Sequence, residues 1–165
     1  MKWPAERREP ITIKDLKSNA VSIKLDEEFE SNDPNWLRQV SFRITNTSEK
    51  PITYIAINLN FPETANTGTG GVALHQITLG DWTFSSIVRQ PFNLEPGESR
   101  EISLETQYSE KISLLKLKQC SANQVTKIIT RLNQVLFVDE TLWSGGEFYR
   151  RNPDSSDRHK WITID

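Results

Sequence analysis

The clearest pattern in the chain is a long alternation of apolar and polar positions in residues 124–150. Val135 and Phe137 fall on one face of a strand, a polar turn follows at 138–141, and Trp143 belongs to a second arm. Successive side chains of a strand point to opposite faces, and strands favour the β-branched and aromatic residues found here. The pattern predicts a long β-hairpin that forms the central pair of an all-β domain.

A second alternation covers residues 36–61. Val40, Phe42 and Ile44 alternate with polar residues, and the segment 52–61 repeats the pattern beyond a polar turn. Two amphipathic strands joined by a short turn are typical of a hairpin, so we predict that these two strands pair with each other. Shorter strands are predicted at residues 11–13, 21–25, 72–79, 82–88, 102–104 and 161–164.

The spacing of apolar residues changes after Gln107, where it fits one or two turns of helix better than a strand. Ser109 is a suitable N-cap for a short helix near residues 108–118 that would cross between two sheets. The many short strands and regular turns predict an immunoglobulin-like antiparallel β-sandwich. We expect one domain over residues 11–165, preceded by a flexible arm at residues 1–10.

The composition excludes several classes of partner. The 165 residues suit one domain, and 20 basic and 22 acidic residues are well mixed, with a net charge of −2. Such a chain has no strong field to gather nucleic acid or anionic lipid. No apolar run is long enough to span a membrane, and no signal-peptide pattern follows the charged N-terminus. A single cysteine allows no intramolecular disulfide, and the compartment stays open.

Residues suited to catalysis are sparse. His75 and His159 lack further ligands at metal-binding spacing, and no base lies near Cys120 in the sequence. The chain contains no nucleophile elbow, phosphate-binding loop or dinucleotide fingerprint. We therefore predict a protein that is not an enzyme and that needs no cofactor.

An acidic loop at residues 26–35 is a weak candidate for calcium. Asp26, Glu28 and Asp33 place several hard oxygen donors close together, and loops at the ends of β-sandwiches often bind this ion. The spacing does not match an EF-hand, and acidic runs are usually solvated surface. A sequon at Asn46-Thr47-Ser48 is more simply a turn with a left-handed asparagine.

Aromatic residues supply the best candidates for ligand binding. Sugar rings stack on exposed aromatic faces, and protein partners favour tryptophan and tyrosine as anchors. Of five tryptophans, Trp36 has an ambiguous face and Trp82 follows a Gly-Asp turn, whereas Trp143 looks like core. We select Trp36, Trp82 and Tyr149 as candidate binding residues; the alternative is that these rings fill the core or its rim.

Seven passages of the chain form a distinctive set: Phe42–Ser48, Lys50–Ile55, Leu94–Ser99, Val135–Asp139, Trp143–Gly146, Phe148–Arg151 and Lys160-Trp161. This set resembles a group of uncharacterised exported proteins of acidobacteria-like soil bacteria. The resemblance covers residues 36–162 and implies an immunoglobulin-like or fibronectin-like fold and export, but no activity. One difference is Asp139-Glu140 in the hairpin turn, where the group has Asp-Gly; glutamate resists a positive φ, so a longer turn is expected.

These observations favour a non-enzymatic binding or structural module. The unpaired edges of a β-sandwich are templates for strand addition, so a protein partner or self-association through sheet edges or loops is expected. The alternative is a carbohydrate-binding module that uses exposed tryptophan and tyrosine. Coplanar aromatic rings on one exposed strip would favour a sugar, and an exposed apolar edge would favour a protein.

Overall fold

The structure, a computed structural model, describes residues 9–66, 73–82, 91–107, 125–153 and 160–164. These residues form eleven strands, one 3-10 turn at Pro62–Asn66 and a single α-helical turn at Leu104–Gln107. The predicted crossover helix at 108–118 and most of the predicted arm lie outside the described residues. The strands are β1 (Ile11–Ser18), β2 (Val21–Ser22), β3 (Glu28–Glu30), β4 (Val40–Asn46), β5 (Ile52–Phe61), β6 (Ala73–Leu79), β7 (Ser99–Ser103), β8 (Lys127–Phe137), β9 (Leu142–Ser144), β10 (Glu147–Arg151) and β11 (Trp161–Ile164).

The strands form two antiparallel sheets, which confirms the all-β prediction. The smaller sheet has the order β2-β1-β4-β7, and the larger sheet has the order β11-β10-β9-β8-β5-β6. The short strand β3 pairs with the first residues of β8. No helix within the described ranges is both long and apolar enough to cross a bilayer.

One apolar core lies between the sheets, because alternate residues of both sheets point inward. The smaller sheet contributes Phe42 and Ile44, and the larger sheet contributes Ile55, Val135 and Trp143, all of them buried. The inward positions predicted for β4 and β8 are therefore confirmed. Trp143 is a core residue, as its apolar neighbours suggested.

The predicted pairing of β4 with β5 is wrong, since the two strands belong to different sheets. The chain crosses between the sheets at Asn46, which is 1% exposed. Its side-chain NH2 group donates to the carbonyls of Lys50 and Leu94, each at 2.8 Å. Its side-chain oxygen accepts from the backbone amide and the hydroxyl of Ser48. Ile52 and Leu94 then exchange two backbone hydrogen bonds. This buried asparagine does not have the left-handed φ that the sequence suggested.

The predicted hairpin of β8 and β9 is confirmed, with Val135 opposite Trp143. Its turn is longer than two residues, as the glutamate at position 140 implied. The Phe137 amide donates to the Thr141 carbonyl and the Glu140 amide donates to the Phe137 carbonyl. Glu140 nevertheless adopts a φ of 64°, a conformation that favours glycine.

Local boundaries differ from the prediction at two places. The strand expected at 21–25 is only Val21–Ser22, and the acidic loop contains the short strand β3. The tail strand expected at 161–164 is present as β11, at the end of the larger sheet.

Candidate functional site

A second apolar cluster covers the outer face of the larger sheet. Tyr54 lies opposite Leu136, Leu136 lies opposite Leu142, and Leu142 lies opposite Tyr149, so one row of side chains crosses four strands. The partly buried rings of Trp82, Tyr149 and Trp161 pack against the buried members of this row, Tyr54, Leu136 and Leu142. Two of the three predicted binding residues, Trp82 and Tyr149, are therefore in one cluster.

The rings of this cluster are tilted against one another. The centroids of Tyr54 and Trp82 are 5.2 Å apart at 76°, and those of Trp82 and Trp161 are 6.2 Å apart at 57°. These are edge-to-face and tilted contacts of the kind that stabilises a packed cluster. Burial raises the pKa of the Tyr54 hydroxyl. Tyr54, Trp82 and Trp161 thus do not make the flat strip on which a sugar would stack.

Trp36, the third predicted binding residue, belongs to the core. It lies in the turn before β4 and is 2% exposed. Its indole N–H donates to the Val125 carbonyl at 2.9 Å, and its ring is 5.6 Å from that of Phe29. The ring is therefore buried with its only side-chain donor satisfied, and it presents no exposed face on which a ligand could stack.

Each of the three calcium candidates has a hydrogen-bond or ion-pair partner of its own. Asp26 accepts a hydrogen bond from Nε of Arg131 at 2.6 Å, and Glu28 lies 2.9 Å from Nζ of Lys127. Asp33 accepts from the Asn35 amide at 2.8 Å. No group of three metal-binding side chains occurs within the described ranges. The acidic loop instead pairs with cations of β8, and the hydrogen bond to Glu28 raises the pKa of Lys127.

A groove of about 390 Å³ lies across β1, β4 and β7 of the smaller sheet. Three of its lining residues form ion pairs, with Arg43 2.7 Å from Glu101 and 3.8 Å from Asp15. The hydrogen bond between Arg43 and Glu101 raises the pKa of the guanidinium and lowers that of the carboxyl. These three charged side chains of the groove therefore have partners within it.

The apolar inner face of the larger sheet becomes exposed towards β11. Val135, Trp143, Phe148 and Ile164 are successive neighbours on one face of β8, β9, β10 and β11. Their exposed fractions are 0%, 3%, 37% and 39% in that order. The smaller sheet therefore covers this face of β8 and β9 but not of β10 and β11. Phe148 still contacts the core, because its ring centroid is 6.1 Å from that of Phe137.

Two cations without ion pairs lie beside this apolar pair. Arg150 and Lys160 are exposed, and no carboxylate of the described residues lies within ion-pair distance of either. Arg150 lies opposite Ile162, and Lys160 precedes β11 with its carbonyl bonded to the Asn152 amide. Alternation places both cations on the face that carries Phe148 and Ile164. We call this surface, formed by Phe148, Arg150, Lys160, Ile162 and Ile164, the edge surface.

None of the edge-surface residues was among the binding residues predicted from the sequence. Their signal was present, because Ile162 and Ile164 alternate with polar residues in a tail predicted as an edge strand. Which face of that strand stays uncovered depends on the extent of the opposite sheet. No family model, curated protein or solved structure matches this chain.

Proposed function

We propose that this protein is a non-enzymatic binding module that engages a protein partner through the β10–β11 edge. The observation that supports this proposal is the exposed pair Phe148 and Ile164, on the face that is buried in the neighbouring strands. Large side chains on a core face are exposed at a cost in free energy, which a partner that covers them recovers.

The backbone of β11 supports the same proposal. It is the last strand of the larger sheet among the described residues. An edge strand presents hydrogen-bonding groups that pair readily with another chain, and many proteins protect such edges with charged or short strands. β11 is short but carries two isoleucines, so it is protected only in part.

We also infer that the fold is immunoglobulin-like. The order β1-β4-β7 in one sheet and β9-β8-β5-β6 in the other follows the order of such sandwiches, in which early and late strands alternate between the sheets. On this view β10 and β11 extend one sheet beyond the common set of strands. The edge surface then lies on an addition to the sandwich, where it can vary without loss of the core.

Affinity capture with a charge introduced at the edge tests the proposed function. Wild-type protein, Ile164→Lys and the control Val21→Lys are immobilised and exposed to a lysate of the source organism. Val21 is a matched control because it is 59% exposed and lies on an edge strand of the other sheet. Each captured protein is then purified and its dissociation constant is measured directly against the three variants.

The proposal predicts a protein whose affinity falls at least tenfold with Ile164→Lys and stays within twofold with Val21→Lys. Equal affinities for all three variants would place the binding surface elsewhere. Retention of the circular dichroism spectrum by Ile164→Lys shows that the variant is folded.

Carbohydrate binding is a second candidate, favoured by the partly exposed Trp82 and Tyr149 in one cluster. Stacking on these rings would protect Trp82 from acrylamide quenching. A titration with soluble polysaccharides should then restore fluorescence in wild type but not in Trp82→Phe. The tilted rings make this the weaker proposal, and absence of protection by every polysaccharide would remove it.

A further inference from the structure

We infer that the partner presents an extended segment that adds antiparallel to β11. From N- to C-terminus, this segment has an apolar residue, any residue, a second apolar residue, any residue and an acidic residue. The inference rests on the proposed function and names the chemical class of its partner. Three features of the edge surface support it: the backbone register, the apolar pair Phe148 and Ile164, and two cations that have no ion pair with any described carboxylate.

The backbone register decides which groups of β11 face the open side. The Asn152 amide donates to the Lys160 carbonyl, so these residues form a hydrogen-bonded pair. Hydrogen-bonded and non-hydrogen-bonded pairs alternate along an antiparallel ladder. Ile162 and Ile164 therefore bond to β10 through Arg150 and Phe148, and Thr163 directs its N–H and C=O away from β10. An added strand would bond to Thr163.

The side chains decide what the added strand carries. Lys160, Ile162 and Ile164 follow at every second position, so they share one face of β11. Side chains directly opposite on neighbouring strands contact one another. Apolar residues of the partner would thus lie beside Ile164 and Ile162, and an acidic residue would lie beside Lys160.

The charge of the surface favours an acidic residue. Five cations lie close to carboxylates, whereas Arg150 and Lys160 have no ion-pair partner among the residues that the structure describes; the five are Arg43, Lys50, Arg100, Lys127 and Arg131. Arg150 lies opposite Ile162 and shares its face with Lys160, so it adds positive charge to the face on which the carboxylate beside Lys160 would lie. An acidic residue adds attraction, and a basic residue at that position would be repelled.

Antiparallel addition follows the rest of the molecule. Every strand pair of the described residues is antiparallel, and this pairing is slightly more stable per residue than the parallel one. An antiparallel partner passes Ile164 first and Lys160 last. The order of the apolar and acidic positions in the partner is therefore fixed.

Three soluble peptides test the inference with the full chain. The first peptide has the central sequence valine-threonine-valine-threonine-glutamate. The second has lysine in place of the glutamate, and the third has the first sequence in reverse. All three have identical solubilising flanks. Affinity is measured by fluorescence anisotropy at low and high salt. Hydrogen exchange at the Thr163 amide is followed by NMR. Ile164→Lys and the control Val21→Lys are measured in parallel.

We expect the glutamate peptide to bind at least tenfold tighter than the lysine peptide at low salt, with a smaller ratio at high salt. It should slow exchange at the Thr163 amide at least tenfold and lose its affinity with Ile164→Lys but not with Val21→Lys. Equal binding of the glutamate and lysine peptides would overturn the acidic position, and tighter binding of the reversed peptide would overturn the direction.

Two further outcomes separate this inference from the proposed function. If a captured protein depends on Ile164 but none of the peptides binds, the segment pattern is wrong and the edge remains the binding surface. If sedimentation shows a dimer that Ile164→Lys dissociates, the occupant is a second copy of this chain, and the acidic segment is overturned. If neither proteins nor peptides depend on Ile164, both proposals fail.

Discussion

Two regions of the molecule differ in what they bury: polar groups are buried where the chain crosses between the sheets at Asn46, and apolar groups are exposed at the β11 edge. At the crossing, Asn46 is buried and makes four side-chain hydrogen bonds, and its own amide and carbonyl pair with Glu98 and Gly97. At the edge, apolar side chains are exposed, and Arg150 and Lys160 have no ion pair with any carboxylate in the described part of the chain. Among the described residues, the polar groups of the first region are thus hydrogen-bonded, whereas the cations of the second have no ion-pair partner.

The difference separates residues that specify the fold from residues available to a partner. A buried polar group must be hydrogen-bonded, so removing one member of the Asn46 network leaves others unsatisfied. Exposed groups such as Ile164 have little to lose on substitution. Substitutions at the crossing should therefore change stability, and substitutions at the edge should change binding alone.

The largest effect is expected from Asn46→Ala. Loss of the buried side-chain amide removes one donor from each of the Lys50 and Leu94 carbonyls and leaves the Ser48 amide without its acceptor, and we expect a loss of about 3 kcal/mol in the free energy of unfolding. Urea denaturation followed by fluorescence measures it. Ser48→Ala is the graded control, because it removes one of the two donors to Asn46 Oδ1, and should cost about 1 kcal/mol or less. Equal effects of the two substitutions would show that the network does not act as described.

A smaller, pH-dependent effect is expected at Glu63, which joins the 3-10 turn to β8. Burial would raise the pKa of this carboxyl, but hydrogen bonds from the Thr126 hydroxyl and from the Thr126 and Lys127 amides outweigh burial and lower it. A lowered pKa in the folded state gives stability that is present above the unfolded pKa and is lost as pH falls through the folded value.

Glu63→Gln should therefore destabilise the protein by about 1 kcal/mol at pH 7, and the difference from wild type should shrink below about pH 4. Denaturation curves from pH 3 to pH 7 measure this difference. Glu49→Gln serves as the control, since Glu49 is exposed. A difference that stays constant over the whole pH range would contradict the role given to the charge.

A stabilising change is expected at Glu140, in the turn of the central hairpin. Glutamate at a φ of 64° is strained, and glycine relieves the strain although it adds entropy to the unfolded chain. We expect Glu140→Gly to raise stability by about 0.5 kcal/mol. Glu49→Gly, at a position without a positive φ, should lower it. Thermal denaturation of both variants decides whether this turn is strained.

The smallest effect on stability is expected at the edge surface. Ile164→Lys should change the free energy of unfolding by no more than about 0.5 kcal/mol, because this side chain is already 39% exposed. Urea denaturation beside Asn46→Ala measures the contrast between the two regions. A loss comparable to that of Asn46→Ala would mean that Ile164 belongs to the core.

Alternation along the chain predicted the β class, the central hairpin and the edge strand at 161–164, because each depends on neighbouring positions alone. It failed for β4 and β5, since two amphipathic strands joined by a short turn can pair with each other or lie in opposite sheets. The choice depends on the contact of Asn46 and Ile52 with Leu94, which is distant in the sequence.

The candidate site was predicted only in part for the same reason. Trp82 and Tyr149 meet through the register of four strands, and Trp36 is buried because its indole reaches Val125 across the fold. Neither relation is visible in local sequence. Phe148 has the alternation of a core residue, and only the width of the opposite sheet leaves it exposed.

Selection of peptides from a random display library asks directly whether the β10–β11 edge binds a partner segment. Wild-type protein and Ile164→Lys are used as separate targets, and the enriched sequences are compared. We expect wild type to enrich segments with two apolar residues at alternate positions followed by an acidic residue, and Ile164→Lys not to enrich them. Enrichment of the same sequences by both targets would contradict a partner site at the β10–β11 edge.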